Sequence, residues 1–115
     1  MDSILTSIKK MLGIADEYIN FDTDLLIHIN SVLMILTQMG VGSSEGFSIQ
    51  DKYDEWSDFV PDSANLDLVK SYVYLKVKLL FDPPLSSAVI ESINRQITEF
   101  EFRLNIAADT TSITS

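Results

Sequence analysis

The sequence predicts a small, mainly all-α domain of four helices, whose β-type signals are confined to the long loop between the second and third helices. Four segments repeat apolar residues at the 3.6-residue period of a helix, and Gly or Pro follows each of the first three. The chain has 115 residues, of which 46% are hydrophobic and 22% charged, enough for one core. We therefore predict a single domain over residues 1–108 and a disordered polar tail at 109–115.

The first helix is predicted over about residues 4–12. Ser3 is placed to cap its first turn and Gly13 to end it. The apolar residues of this segment share one face of the helix, and Lys9 and Lys10 lie off that face. Both lysines are therefore expected in solvent.

The second helix is predicted over about residues 23–39, with Gly40 at its end. No formally charged residue occurs over the 20 positions 25–44, a length that could cross a bilayer. Four polar side chains nevertheless gather on one arc opposite a leucine-rich face: Asn30, Ser31, Thr37 and Gln38. This pattern is typical of an amphipathic helix in water, and we expect no membrane association. The first 14 residues do not resemble a secretory signal, so an intracellular location is expected.

Residues 40–64 break the helical pattern with Gly, Ser and Asp, and six acids lie between Glu45 and Asp62. Within this loop, GFSI and DEWSDFV carry short β-type signals, so a small hairpin is one option. Trp56 and Phe59 are expected to pin the loop to the core. A loop this long in a small domain is usually functional or flexible, which makes it the first place to look for a binding surface.

The third segment, residues 65–81, fits two periodicities. Within it, YVYLKVKL alternates apolar and polar residues as a half-buried strand does. The apolar pattern begins as early as Leu66, however, and is too long for a typical strand. We therefore favour a helix, ended by Asp82-Pro83-Pro84.

The fourth helix is predicted from a cap at Ser86 or Ser87 to about Ala107. Glu91–Arg95 and Glu99–Arg103 have the i,i+4 spacing of stabilising ion pairs. Six apolar residues form one narrow face: Val89, Ile90, Ile93, Ile97, Phe100 and Leu104.

The residues that most metal and nucleophile chemistries need are scarce. The chain has no Cys, and its single histidine, His28, has only Asp24 as a local acidic neighbour. No phosphate-binding loop or nucleophile elbow occurs. Four acids resemble a calcium loop in charge but lack its central Gly and closing Glu: Asp51, Asp54, Glu55 and Asp58. We therefore predict no catalytic, cofactor or metal site.

The formal net charge is −9, from 17 acids and 8 bases. Such a chain repels the DNA backbone and acidic membrane surfaces, so sequence-specific nucleic-acid binding is not expected. A protein partner, or a soluble role that needs no polyanion capture, is favoured instead.

Apolar residues outside the core faces indicate self-association. Ile27 and Met34 lie in the polar arc of the second helix, and Phe102 and Ile106 lie opposite the core face of the fourth. A helix that packs only within a monomer needs one apolar stripe. We therefore take these four residues as interface candidates, together with Trp56 and Phe59 in the loop.

The whole-chain pattern resembles the small head–tail connector, or head-completion adaptor, proteins of long-tailed bacteriophages and prophages. The resemblance covers about residues 2–108 and is carried by ILTSIKKMLGI, FDTDLLIHINSVLMIL ending in QMGVG, EWSDF, YVYLKVKLLFDPP and SSAVIESINRQITEFEFRLN. It implies a non-enzymatic virion protein, made in the bacterial cytoplasm, that forms a ring under the portal. Its implied partners are the portal, sister subunits and the next head–tail joining or tail protein.

Two other hypotheses stay open at this point. The chain could be a small acidic regulatory module whose 45–62 loop presents Trp56 and Phe59 to a basic groove on a host or phage protein. It could also be a carboxylate-based enzyme, which would need at least two acids gathered in a concave pocket with raised pKa values.

Overall fold

The structure is a computed structural model that describes residues 3–42, 46–60 and 65–114, with side chains described as far as residue 108. These residues form five helices: α1 Ile4–Leu12, α2 Asp22–Gln38, α3 Trp56–Phe59, α4 Leu66–Phe81 and α5 Ser87–Thr114. Within the described ranges the β-type pairing is an isolated antiparallel bridge between Ser3 and Glu55. The mainly all-α prediction is confirmed.

The ends of α1 follow the predicted capping pattern. The Ser3 Oγ accepts a hydrogen bond from the Thr6 N–H at 3.1 Å. Gly13 adopts a φ of 82°, a left-handed conformation that favours glycine, and its N–H donates to carbonyls of the last turn. Local sequence therefore sets both ends of this helix.

Helix α4 lies at the centre and contacts α1, α2 and α5. Five of its side chains are buried: Val69, Tyr72, Val73, Leu75 and Val77. The helix prediction for residues 65–81 is confirmed, and α4 ends immediately before Asp82-Pro83-Pro84.

The molecule is a slab of 43 × 35 × 19 Å. Its thickness is that of two layers of helices, since a helix with side chains is about 10–12 Å wide. The 28 residues of α5 account for its longest dimension, because a helix rises about 1.5 Å per residue. The described helix continues past the end expected near Ala107. The prediction of a disordered tail at 109–115 falls on residues whose side chains lie outside the described part.

Neither GFSI nor DEWSDFV forms a strand, so the hairpin option is wrong. The second segment contains the single-turn helix α3, which is closed by a capping box: the Glu55 N–H donates to Asp58 Oδ2 at 2.9 Å, and the Glu55 side chain accepts from the backbone in return. Such local side-chain hydrogen bonds compete with the pairing that a hairpin requires.

The other two acids of the calcium-like cluster also accept hydrogen bonds from backbone N–H groups. Asp54 Oδ2 accepts from the Gln50 N–H at 2.7 Å, and Asp51 Oδ1 accepts from the Tyr53 N–H at 2.8 Å. These acids therefore serve as caps and turn formers for residues 50–58.

Lys9 was expected in solvent, and this is wrong: only 1% of the residue is exposed. Its ammonium donates to the carbonyls of Asp16 and Tyr18, both at 2.8 Å, and forms an ion pair with Asp22 Oδ1 at 2.9 Å. Asp22 Oδ1 is buried without a hydrogen bond of good geometry among the described residues. The ion pair with Lys9 is therefore what offsets its negative charge.

Tyr72 fixes α5 against α4. Its hydroxyl is buried and donates to Glu101 Oε2 at 2.8 Å. Burial, the hydrogen bond to Glu101 and the negative charge of that carboxylate together raise the pKa of Tyr72 far above its usual value of about 10. The phenol therefore stays protonated in the native state.

A Lys9→Met variant should lose about 3 kcal/mol of unfolding free energy, because it keeps the aliphatic stem but leaves the Asp22 carboxylate unpaired. Lys10→Met is the matched control, since Lys10 is the exposed neighbour, and it should change stability by less than about 0.5 kcal/mol. Urea denaturation followed by Trp56 fluorescence measures both. Equal effects of the two substitutions would contradict the structural role of Lys9.

A Tyr72→Phe variant should be less stable than the parent by about 1 kcal/mol near neutral pH, through loss of the hydrogen bond to Glu101. The raised native pKa stabilises the fold below about pH 10, and this contribution is lost as the pH rises further, because the unfolded chain then ionises Tyr72. The difference in unfolding free energy between the parent and Tyr72→Phe should therefore fall by about 1 kcal/mol by about pH 11. Urea titrations across this range test it, and a gap independent of pH would refute it.

Candidate functional site

The outward face of α2 carries exposed apolar side chains. Ile27 is 60% exposed and Met34 is 62% exposed, two helical turns apart on one face. Ser31 lies between them and donates its hydroxyl to the Ile27 carbonyl at 3.0 Å, so its polar group is partly satisfied within the helix. No residue from 25 to 42 carries a formal charge. We call this surface the α2 face.

The packing of α2 explains why these side chains are outside. Five residues on its opposite side are buried against the core: Leu25, Ile29, Val32, Leu33 and Leu36. At about 100° per residue, Ile27 and Met34 lie roughly opposite this stripe. The predicted exposure of both residues is confirmed.

The outward face of α5 repeats this arrangement. Phe102 is 65% exposed and Ile106 is 50% exposed, while Ile93, Ile97 and Leu104 on the other side are buried. The predicted exposure of Phe102 and Ile106 is confirmed. We call the surface around these two side chains the α5 face.

A charged pair borders the α5 face. Arg103 and Glu99 form an ion pair at 2.7 Å, as their spacing predicted. Each side chain of this pair is more than half exposed, so the pair stabilises the helix only slightly.

The end of α2 comes close to α5. Gly40 follows α2 with a φ of +91°, and a Cβ at this position would lie 3.3 Å from Ala108 Cβ. Both the left-handed backbone and the close approach therefore favour glycine here. The helices that carry the α2 and α5 faces are thus in contact where α2 ends.

Trp56 and Phe59 are not surface residues. Both are buried, and the Trp56 Nε1–H donates to Ser7 Oγ at 2.7 Å. The Phe59 ring packs on Phe47 with ring centroids 5.5 Å apart, and it lies so close to Gly42 that a Cβ there would be 2.6 Å from Cε1. The prediction that they pin the loop to the core is confirmed, and the proposal that they form part of an interface is wrong.

Other exposed apolar residues were not singled out from the sequence. Ile19 and Tyr53 lie in polar loops and are exposed, as is Leu85 after the proline pair. An apolar residue within a short loop was the available signal, but a single such residue is common on protein surfaces and carries no weight alone.

The described residues contain no group of three or more His, Asp and Glu side chains placed to hold a metal ion. His28 is half-buried, with its ring edge-on to Phe81 at a centroid distance of 6.5 Å. In the described part of the chain, no helix is both long enough and apolar enough to cross a bilayer.

Comparison with known proteins identifies the family. The family model described as phage connector protein matches residues 4–111. No curated protein and no solved structure matches the chain. The match agrees with the resemblance drawn from the sequence, and it indicates a structural phage protein that works with other head or tail proteins. The chain belongs to the phage connector protein family.

Proposed function

We propose that this chain is a head–tail connector subunit whose copies form a ring under the portal, complete the head and let DNA pass. The observation that carries the proposal is the pair of exposed apolar faces on two different helices. A closed ring requires head-to-tail contacts, in which each subunit offers two different and complementary surfaces. The α2 face of one subunit would meet the α5 face of the next.

The hydrophobic gain from this contact would be appreciable. Complete burial of a large apolar side chain contributes about 1.5–3 kcal/mol. Ile27, Met34, Phe102 and Ile106 each have half or more of their surface still exposed. Covering all four would therefore recover a large part of that free energy, from which association entropy must be subtracted.

The electrostatic cost of the contact would be low. No residue from 25 to 42 carries a formal charge, so the nearest charge along α2 is Asp24, one turn before Ile27 and at the edge of the contact. On the α5 face, Glu99 and Arg103 already neutralise each other within the helix. Burying an unpaired charge would be costly, and none lies between the two apolar residues of the α2 face or between those of the α5 face.

The net charge of −9 agrees with a DNA conduit. DNA that slides must not be gripped, and acidic surfaces form no counterion-releasing contacts with phosphates. The partners in this proposal are the portal and the adjacent head–tail joining or tail protein, with the ring located at the head–tail junction of the virion.

The structure does not support the alternative of an acidic regulatory module, because the two residues that it needs at the surface are buried. It required the 45–62 loop to present Trp56 and Phe59, and both are in the core. The described acids of that loop are engaged with backbone N–H groups. No observation favours this alternative over the connector.

Replacing Phe102 with Glu should abolish incorporation of the protein into particles while the subunit stays folded, because a carboxylate at the centre of the α5 face would be buried without a partner. The measurement is the copy number per purified particle by quantitative mass spectrometry, with helicity checked by circular dichroism. Gln96→Glu is the matched control, since Gln96 is exposed on α5 and lies about 120° around the helix from Phe102. Unchanged copy number for Phe102→Glu would overturn the interface.

The pairing of the two faces can be tested because the chain has no Cys. A protein carrying both Met34→Cys and Phe102→Cys should give a ladder of oligomers when assembled particles are treated with a flexible bis-maleimide. Either single substitution should give none, since head-to-tail contacts bring unlike positions together. Dimers from a single variant would instead indicate like-to-like contacts.

A further inference from the structure

A groove of about 480 Å³ opens between α1, the α1–α2 loop, the start of α2 and the turn at 50–53. We call it the α1–α2 groove. Leu5 and Leu26 contribute apolar surface to it, and Ile19 and Tyr53 line it as exposed side chains. Its volume falls within the roughly 300–1,000 Å³ typical of ligand-binding clefts.

Ile19 and Tyr53 are more exposed than the four apolar residues of the α2 and α5 faces. Ile19 is 69% exposed and Tyr53 is 76% exposed. Two such side chains on one groove expose apolar surface to water, which is unfavourable. An apolar group of a ligand that lies between them would remove that surface from solvent. Neither residue belongs to the α2 or α5 face, so this surface is separate from the proposed ring contact.

The exposed charges that line the α1–α2 groove are mostly negative. Asp16, Glu17 and Asp51 line it as exposed acids, and Lys52 is the exposed base among the described lining residues. The other lysine, Lys9, is buried and bound to two carbonyls and to Asp22. The field that a ligand meets is therefore negative.

The walls of the groove are held in place. Lys9 ties the 16–22 segment to α1 through the Asp16 and Tyr18 carbonyls. On the other side, Asp54 and Asp51 close the 50–53 turn by accepting backbone N–H groups. Binding would then require little ordering of the protein, which lowers its entropic cost.

We propose that the α1–α2 groove binds a basic segment of a partner protein that carries one large apolar side chain. The apolar side chain would lie between Ile19 and Tyr53 above Leu5. Flanking Lys or Arg side chains would approach the carboxylates of Glu17 and Asp51. The carboxylates would attract such a segment by charge, and the apolar contact with Ile19 and Tyr53 would fix which residue of the segment lies in the groove.

Two other occupants fit this surface less well. Nucleic acid is repelled by the same carboxylates that attract a basic peptide. A second copy of this chain fits less well, because it is itself acidic, with a net charge of −9, and the Lys9 of its consecutive pair Lys9-Lys10 is buried. The charge of the groove therefore selects a different, basic protein.

The test uses the full ¹⁵N-labelled chain and a synthetic probe, acetyl-Gly-Lys-Lys-Phe-Lys-Lys-Gly-amide, in a chemical-shift titration. We expect shifts concentrated in residues 16–22 and 50–53. Glu17→Lys and Tyr53→Ala should each weaken binding about fivefold, the effect of losing one modest contact. Glu91→Lys, the same charge change on exposed α5, should leave affinity within about twofold.

Two further probes distinguish the occupants. A peptide with Gly in place of Phe, or spermidine, should bind much more weakly than the first peptide, because neither fills the apolar part of the groove. Equal binding of either would show that the surface attracts any cation, and the proposal would fail. It would fail equally if the shifts spread over all acidic surfaces or did not occur, and none of these results bears on ring assembly.

Discussion

Helix α4 contacts α1, α2 and α5, and four of its side chains are fully buried: Val69, Tyr72, Val73 and Val77. Because α4 receives the apolar stripes of its neighbours, each neighbour has one side turned inward and one side turned to solvent. An apolar residue on the outer side of α2 or α5 then has no core to enter within one subunit. The exposure of Ile27, Met34, Phe102 and Ile106 follows from this packing, and in the proposed ring a sister subunit would cover these side chains.

The segment 46–60 is fixed to the helices by a few specific hydrogen bonds. The Asn30 side-chain amide pairs with both backbone groups of Ile49, accepting from its N–H at 2.7 Å and donating to its C=O at 3.0 Å. The Ile4 N–H donates to the Asp54 carbonyl at 3.0 Å. An acidic loop that composition alone would leave in solvent thereby becomes a fixed wall of the molecule. That wall buries Trp56 and forms one side of the α1–α2 groove.

Charge is distributed unevenly over this acidic protein. The α2 face has none, the α5 face has a self-neutralised pair, and the α1–α2 groove has an excess of acids. Desolvation costs little at the centres of the first two surfaces, and the excess of acids at the third attracts bases. In the proposed ring the subunit would join copies of itself and also engage different proteins, and separate surfaces with different charge would let one small domain do both.

Local sequence determined the features that depend on neighbouring residues: the ends of α1 at Ser3 and Gly13, the stop of α4 before its prolines, and the outward position of Phe102 and Ile106, which the fixed 100° step of a helix imposes. The family resemblance also came from sequence alone, whereas the ring contact of those residues stays a prediction. Tertiary structure decided the burial of Lys9, and it supplied the partner that holds Trp56 in the core. Lys9 needs carbonyls seven and nine residues away, and Trp56 needs a hydroxyl 49 residues away. Such distant partners leave no periodic trace in the chain, because they meet only after the helices have packed.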